Sequence, residues 1–229
     1  MTLSEQICLA ESILLEKFRL EPFHNLYRLY EIEPQSQRLG GTCSDKTLSY
    51  LTEINASGLS GFLHTARIGD QECHRLARLE IQGASYFADI GNGWPSIRLY
   101  PSHQSIEYSC FGMRFRSEIS GSKIQIFHTR NGKESLQMQF DMNPQSQKAI
   151  DDQILNRFNS GTSYPFDQGL RFSMIVGPKF LFLRDTTLEI YSETGFERID
   201  GIRASDIHDV IWRYYNIDIN TIISGDPCR

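Results

Sequence analysis

The chain has 229 residues, 40% of them hydrophobic, and a formal net charge of −5 at pH 7. This size and composition suit one compact protein with a buried core. The sequence has no basic tract of the kind that binds nucleic acid and no run of about 18 apolar residues that would span a membrane. Its five cysteines are odd in number and form no C-x-x-C pair, which favours reduced thiols over a disulfide framework or a zinc site. We therefore expect a cytoplasmic protein with no metal site, no nucleic-acid partner and no membrane partner.

The first part of the chain has helical periodicity. Ser4 to Leu20 carries apolar residues at helix-like spacing, and a second short apolar group runs from Asn25 to Ile32, where Pro34 ends any helix. Thr47 to Ile54 has leucine and isoleucine spacing that predicts a further helix. The amino-terminal part is therefore predicted to be helical.

From Gly61 onward the pattern changes to that of strands. Six segments alternate or are rich in β-branched and aromatic residues, and Asn131-Gly132 is a strong hairpin signal between the last two. The segments are Gly61–Ile68, Arg75–Ile81, Tyr86–Ile90, Ile106–Phe115, Lys123–Thr129 and Ser135–Phe140. Short strands at this spacing predict a barrel or a strongly bent sheet.

The last third repeats the strand pattern between two helices. A polar helix with one apolar stripe is predicted over Gln147–Phe158, and a second helix over Ser205–Tyr215. The predicted strands between them are Leu170–Gly177, Lys179–Arg184, Thr187–Ser192 and Gly195–Ile199. Periodicity alone thus predicts a mixed α and β protein.

One stretch holds a cysteine, a histidine and an aspartate in an order typical of nucleophilic catalysis. His74 follows Cys43 by 31 residues and Asp89 follows His74 by 15. A thiol needs a basic neighbour to form thiolate, and an imidazole needs a partner that fixes its tautomer. A hairpin turn near Gln82-Gly83 would bring His74 and Asp89 to the same end of two strands. Spacing alone leaves a second interpretation open, in which Cys43 is a buried apolar residue, His74 a hydrogen-bonded strand residue and Asp89 a turn former.

The motifs around these residues resemble those of the arylamine N-acetyltransferase family. They are Gly40-Gly41-Thr42-Cys43, the single His74, the Asp-x-Gly-x-Gly element from Asp89 to Gly93, and Pro22-Phe23-His24-Asn25-Leu26, which is similar to that family's Pro-Phe-Glu-Asn-Leu. The resemblance runs through nearly the whole chain. It implies an α+β, cysteine-protease-like fold in three parts: helices over 1–60 carrying the nucleophile, a β-barrel over 61–143 carrying the histidine and aspartate, and an α/β lid over 144–229.

The resemblance also implies roles for individual residues. Cys43 would be the nucleophile, His74 the base and Asp89 its orienter. The loop of Gly91, Asn92, Gly93 and Trp94 would lie beside the acyl thioester. Trp94 would either line the acyl pocket or have a core or pocket-wall role without catalysis. The segment from Gly161 to Phe166 would form a loop over the site.

The sequence departs from the family pattern at several positions. Leu39 stands where the family has Arg and His24 where it has Glu, so both members of a pair have changed together, as expected if a buried pair was replaced as a unit. Asp45 and Thr47 follow the cysteine where the family commonly has an acid or amide and then Asn. Asn92 stands where many members carry an aromatic residue that contacts the acceptor.

The resemblance predicts a cysteine N-acyltransferase without a bound cofactor. It would take an acyl group from acyl-CoA, such as acetyl-CoA, and pass it to a small-molecule amine. The same motifs are compatible with an amide synthase whose donor is an acyl carrier protein thioester. They are also compatible with a transglutaminase-like hydrolase, which would use water as the acceptor, and with a degenerate homologue that binds without turnover.

Overall fold

The amino-terminal helix α1 spans Leu3–Leu20 and begins at a capping box. The structure is a computed structural model that describes residues 1–34, 36, 39–146, 148–152, 167 and 169–224. Thr2 is the N-cap of α1, and the Glu5 carboxylate accepts a hydrogen bond from the Thr2 backbone N–H at 2.7 Å. Two further helices follow in this part of the chain, α2 at Leu26–Leu29 and α3 at Cys43–Ala56. The predicted helical start of the chain is therefore confirmed, and α3 includes the segment Thr47–Ile54 that was predicted from its apolar spacing.

The middle of the chain forms an eight-stranded antiparallel sheet. Its strands are β2 Ser60–Ile68, β3 Gln71–Ile81, β4 Ala84–Ala88, β5 Tyr100–Pro101, β6 Glu107–Cys110, β7 Met113–Ser120, β8 Lys123–Arg130 and β9 Lys133–Asp141. They are arranged in the order β5-β4-β3-β2-β9-β8-β7-β6. A single bridge between Arg67 and Gln139 joins the two halves of the sheet, which are otherwise successive hairpins.

Most of the predicted strands are present, and one prediction is wrong. The segment Ile106–Phe115 is not one strand, because Phe111 and Gly112 adopt positive φ angles of 53° and 70° and reverse the chain between β6 and β7. The predicted hairpin at Asn131-Gly132 is confirmed, with φ angles of 50° and 76° that match a type I′ turn.

A second, five-stranded antiparallel sheet combines the two ends of the chain. Its strands are β1 Phe23–His24, β10 Arg171–Val176, β11 Lys179–Arg184, β12 Thr187–Ser192 and β13 Gly195–Ile199, in the order β1-β10-β11-β12-β13. Helices α4 at Ile207–Tyr215 and α5 at Ile219–Ser224 pack on this sheet through an apolar cluster. The Tyr215 hydroxyl donates to the Phe172 carbonyl at 3.2 Å.

Two sequence predictions fall partly or wholly outside the described residues. The helix predicted over Gln147–Phe158 is helical at residues 148–152, and the remainder lies outside the described residues, as does the whole loop Gly161–Phe166. The three-part division at residues 60 and 143 stays a prediction. Within the described part of the chain, no helix has both the length and the apolar character needed to cross a membrane.

The fold places the start of one helix against the end of one hairpin. Helix α3 packs on β3, and buried side chains of α1, α3 and the first strands share one apolar core. In the β3–β4 hairpin, Ala77 pairs with Ala88 across the ladder. His74 and Asp89 therefore lie at the same end of that hairpin, as the sequence predicts, and Cys43 reaches that end from the first turn of α3.

Candidate active site

Cys43 is the first residue of α3, and its position is set by a capping interaction. The Asp45 carboxylate accepts hydrogen bonds from the Thr42 backbone N–H at 2.8 Å and from the Thr42 hydroxyl at 3.0 Å. This closes the first turn of the helix around Cys43, which is buried. The positive end of the helix dipole favours the thiolate form of a cysteine at this position.

The two glycines before the cysteine form a turn that only glycine fits. Gly40 has a φ of 80°, and a Cβ there would lie 2.0 Å from the Pro22 carbonyl oxygen. The Gly41 N–H donates to the same Pro22 oxygen at 3.2 Å, and the His24 N–H donates to the Gly41 oxygen at 2.9 Å. The Pro22–Leu26 motif therefore fixes the Gly-Gly turn that delivers Cys43.

His74 and Asp89 form a buried hydrogen-bonded pair. The Nε2 of His74 lies 2.8 Å from Oδ1 of Asp89, and both side chains are only 2% exposed. Because Nε2 is directed to the carboxylate, Nδ1 is the ring nitrogen left for the Cys43 thiol, with which His74 also interacts. The Cys43 Sγ lies 3.8 Å from the Cys73 carbonyl oxygen, beside His74 on β3.

The surroundings of His74 favour its charged form. Burial by itself would lower the pKa of His74, but the Asp89 carboxylate, with a smaller effect from Cys43, raises that pKa above its ordinary value. An imidazolium held between a carboxylate and a thiol stabilises the thiolate in turn. The site therefore places an imidazole that favours its charged form beside a buried thiol.

The loop after Asp89 lies directly against the cysteine. A Cβ on Gly91 would lie 2.4 Å from the Cys43 Cα and 2.6 Å from the Cys43 Cβ, so this contact requires glycine. The Asn92 side chain donates through Nδ2 to Asp89 Oδ2, and its Oδ1 accepts from the Trp94 N–H at 2.7 Å. Ser173 on β10 donates to the Gly93 carbonyl at 2.7 Å, which attaches the loop to the second sheet.

Trp94 is packed in the core between the two sheets. Its ring contacts His128, Phe182 and Tyr191, and the guanidinium of Arg130 lies 3.9 Å from the ring centroid. These contacts favour a place for Trp94 in the core over a place in the lining of the acyl pocket.

A cavity of about 120 Å³ opens beside the cysteine. Cys43, His74, Gly91 and Asn92 line it, whereas Gly93 and Trp94 do not. Several further lining residues were not predicted from the sequence: Phe23, Thr42, Ile68, Gln71 and Cys73. The Pro-Phe motif was the one available signal for Phe23. Ile68 and Gln71 flank the β2–β3 turn, and nothing in their local sequence indicates a cavity.

His24 makes hydrogen bonds where the family pattern has a charged pair. The Leu26 N–H donates to His24 Nδ1 at 3.3 Å, so Nε2 carries the proton and donates to the Leu39 carbonyl at 3.0 Å. Burial and the nearby Lys46 ammonium lower the pKa of His24 to about 4. A neutral imidazole bonded to a backbone carbonyl thus occupies the place of the expected Glu and Arg pair, which agrees with replacement of both partners.

Comparison with known proteins shows the class to which this fold and site belong. A family model of N-acetyltransferases matches residues 46–223. Among solved structures, the chain is similar to the arylamine N-acetyltransferase of Nocardia farcinica, with 18% identity, a TM-score of 0.77, and coverage of 98% of this chain and 88% of that chain. It is also similar to the Mycobacterium marinum arylamine N-acetyltransferase in complex with CoA, with 16% identity, a TM-score of 0.79, and coverage of 94% and 88%. For the Salmonella typhimurium enzyme the identity is 18%, the TM-score 0.76 and the coverage 93% and 85%. No curated protein matches the chain by sequence.

These matches define an acyltransferase with the arylamine N-acetyltransferase fold. The family match covers well over half of the chain, and the chain belongs to the arylamine N-acetyltransferase family. The matched region begins three residues after Cys43, so the role of that cysteine has to be argued from the site itself.

Proposed function

We propose that the protein transfers a short acyl group from a thioester to an amine through an acyl-enzyme on Cys43, with His74 as the base and Asp89 as its orienting partner. The observation that carries this proposal is the position of Cys43, in the first turn of α3, beside the buried His74–Asp89 pair. In that pair the ring nitrogen of His74 and the carboxylate oxygen of Asp89 are 2.8 Å apart. The fold class and family membership support the same chemistry.

In the first half-reaction the Cys43 thiolate attacks the thioester carbonyl. A sulfur–carbon bond forms, and the carbonyl oxygen of the tetrahedral intermediate becomes negative. Backbone N–H groups at the start of α3 stabilise that oxygen, because the N–H groups in the first turn of a helix point toward its amino-terminal end. The bond to the donor sulfur then breaks, and the imidazolium of His74 gives its proton to the departing thiolate.

In the second half-reaction a neutral amine attacks the acyl-enzyme. His74, now neutral, takes the proton that the amine nitrogen loses, and the Cys43 thiolate leaves. Asp89 keeps Nε2 of His74 occupied throughout, so Nδ1 is the nitrogen that exchanges the proton. The product is an amide, and the thiolate–imidazolium pair is regenerated.

The size of the cavity supports a short acyl group. At about 120 Å³ it is much smaller than the clefts of roughly 300–1,000 Å³ that hold drug-sized ligands. Acetyl-CoA is the donor that we propose, because a relative with the same fold has been solved in complex with CoA. A carrier-protein thioester is the other donor that the test includes.

Intact mass spectrometry after brief exposure to acyl thioesters tests the proposal. We expect acetyl-CoA to add the mass of one acyl group to the wild-type protein and to add none to Cys43→Ala. Cys73→Ala is the matched control, because Cys73 is a second buried thiol lining the same cavity, and this variant should still be acylated. An adduct that persists in Cys43→Ala, or no adduct with CoA-linked and carrier-linked donors alike, would overturn the proposal.

A further inference from the structure

Asn92 connects the candidate catalytic pair to the glycine loop. The Asp89 carboxylate has two oxygens with different partners: Oδ1 accepts from His74 at 2.8 Å and from the Gly91 N–H at 3.3 Å, whereas Oδ2 accepts from Asn92 Nδ2. The other end of the same amide accepts from the Trp94 N–H at 2.7 Å. The orientation of the amide is therefore fixed at both ends.

The hydrogen bond from Asn92 restrains the carboxylate that is bonded to His74. Asp89 is buried, so both oxygens of its carboxylate need hydrogen-bond donors from the protein. A carboxylate held at Oδ2 cannot rotate its Oδ1 away from His74. Asn92 also lines the cavity that Cys43 and His74 line. The amide that holds Asp89 therefore lies close to the reacting groups.

We infer that Asn92 is a positioning residue for acyl transfer, acting through Asp89 on His74 by its amide N–H; this inference rests on the proposed function of Cys43. The Asn92 amide keeps the carboxylate aligned with Nε2, and the aligned carboxylate stabilises the imidazolium that accompanies the Cys43 thiolate. Loss of the amide donor loosens that alignment and weakens the thiolate–imidazolium pair.

Two substitutions separate this role from simple packing. Asn92→Asp keeps the shape of the side chain and an oxygen for the Trp94 N–H, but replaces the donor by a second negative charge facing Asp89. Asn92→Ala removes the donor and the acceptor together without adding charge. If the amide donor is what matters, the aspartate variant is the more damaged of the two. If Asn92 serves only to fill space or to accept from Trp94, the alanine variant is the more damaged.

The experiment measures two rates at Cys43 for both variants. The first is acylation by acetyl-CoA, followed by intact mass, and the second is alkylation of the Cys43 peptide by iodoacetamide across pH. We expect acylation to fall about 10- to 100-fold in Asn92→Ala and further in Asn92→Asp, as for loss of a hydrogen bond to a charged group. We also expect the acidic limb of the alkylation profile in Asn92→Ala to move to higher pH, because a weaker ion pair forms less thiolate.

Asn55 provides the control. Its amide also accepts and donates one hydrogen bond, both with the Gly61 backbone at 2.9 and 3.3 Å, but it lies at the far end of α3 from Cys43. Asn55→Ala should leave both rates unchanged. An unchanged alkylation profile in both Asn92 variants, or faster acylation in Asn92→Asp than in Asn92→Ala, would overturn the inference. Failure of the proposed function has a different signature, because the wild-type protein would then form no acyl adduct whatever its alkylation profile.

Discussion

Gly91 lies against Cys43 so closely that a Cβ on the glycine would fall 2.4 Å from the cysteine Cα. This contact couples the loop that follows Asp89 to the first turn of α3. The separation of Cys43 from His74 is therefore set by backbone packing as well as by side-chain hydrogen bonds.

The first prediction concerns this contact. Gly91→Ala should lower kcat/KM for acyl transfer by about 100-fold or more, because displacing a reacting group by about 1 Å has an effect of that order. Gly195→Ala is the matched control, since neither glycine has a positive φ and a Cβ at Gly195 meets no atom within 4 Å. Steady-state kinetics of both variants provide the measurement, and equal activities would show that the contact does not position Cys43.

The second prediction concerns the pH dependence of stability. The pKa of His74 is raised in the folded protein by Asp89 and, to a lesser extent, by Cys43, which outweigh the opposing effect of burial. A histidine of this kind stabilises the fold fully below its unfolded pKa of about 6.5, and the contribution is lost as the pH rises through the folded pKa. We expect the difference in unfolding free energy between the wild type and His74→Gln to be largest below about pH 6 and to shrink as the solution becomes alkaline. Urea denaturation at several pH values measures this difference, and one that grew with pH would contradict the assignment.

The third prediction tests the replacement of a charged pair by His24 and a carbonyl. His24→Glu would place a carboxylate against the Leu39 oxygen, to which it cannot donate, and should destabilise the protein. The loss should be smaller than the ~3–5 kcal/mol of an unpaired buried charge, because the Lys46 ammonium lies nearby. Adding Leu39→Arg supplies a partner and should recover part of that loss. A double-mutant cycle by chemical denaturation measures the coupling. Additive effects would mean that the two positions are independent.

The fourth prediction concerns His128, which is fully buried against Trp94 and Phe115. Neither of its ring nitrogens has a hydrogen-bond partner among the described residues, and burial lowers its pKa to about 3, with a smaller contribution from Arg130. An unpaired buried donor costs about 1–3 kcal/mol, and His128→Leu removes that donor. Because the substitution also loses some packing of the ring, we expect the unfolding free energy to rise by only about 1 kcal/mol. Thermal and urea unfolding test this expectation. A destabilised variant would show that the imidazole makes a favourable interaction.

The sequence predicted the parts of the site that depend on short-range geometry. The turn at Gln82-Gly83 reverses the chain with φ angles of 49° and 81°. His74 and Asp89, which are 15 residues apart in the sequence, are therefore close enough to form a hydrogen bond. The capping box that orients Cys43 also involves residues only three apart, although it was not predicted from the sequence. Such features follow from local spacing and turn chemistry.

The parts that were missed depend on packing between distant segments. Trp94 is enclosed by side chains from β11 and β12, Phe182 and Tyr191, which lie 88 and 97 residues later in the chain. Its local sequence therefore could not decide between cavity and core. Cys73 precedes His74 on a strand, where neighbouring side chains alternate, and its place beside the cavity follows from how α3 packs on β3. The role of Asn92 depends on which end of its amide faces Asp89, and composition carries no information on that orientation.

The most direct test of acyl transfer through Cys43 is a chase of the isolated acyl-enzyme. The acylated protein is separated from donor, mixed rapidly with an amine, and followed for loss of the acyl mass and appearance of the amide. We predict that amide forms in stoichiometric amount, at a rate at least equal to steady-state turnover with the same amine. Release of free acid at a rate independent of amine concentration would contradict acyl transfer to an amine, because water would then be the acceptor.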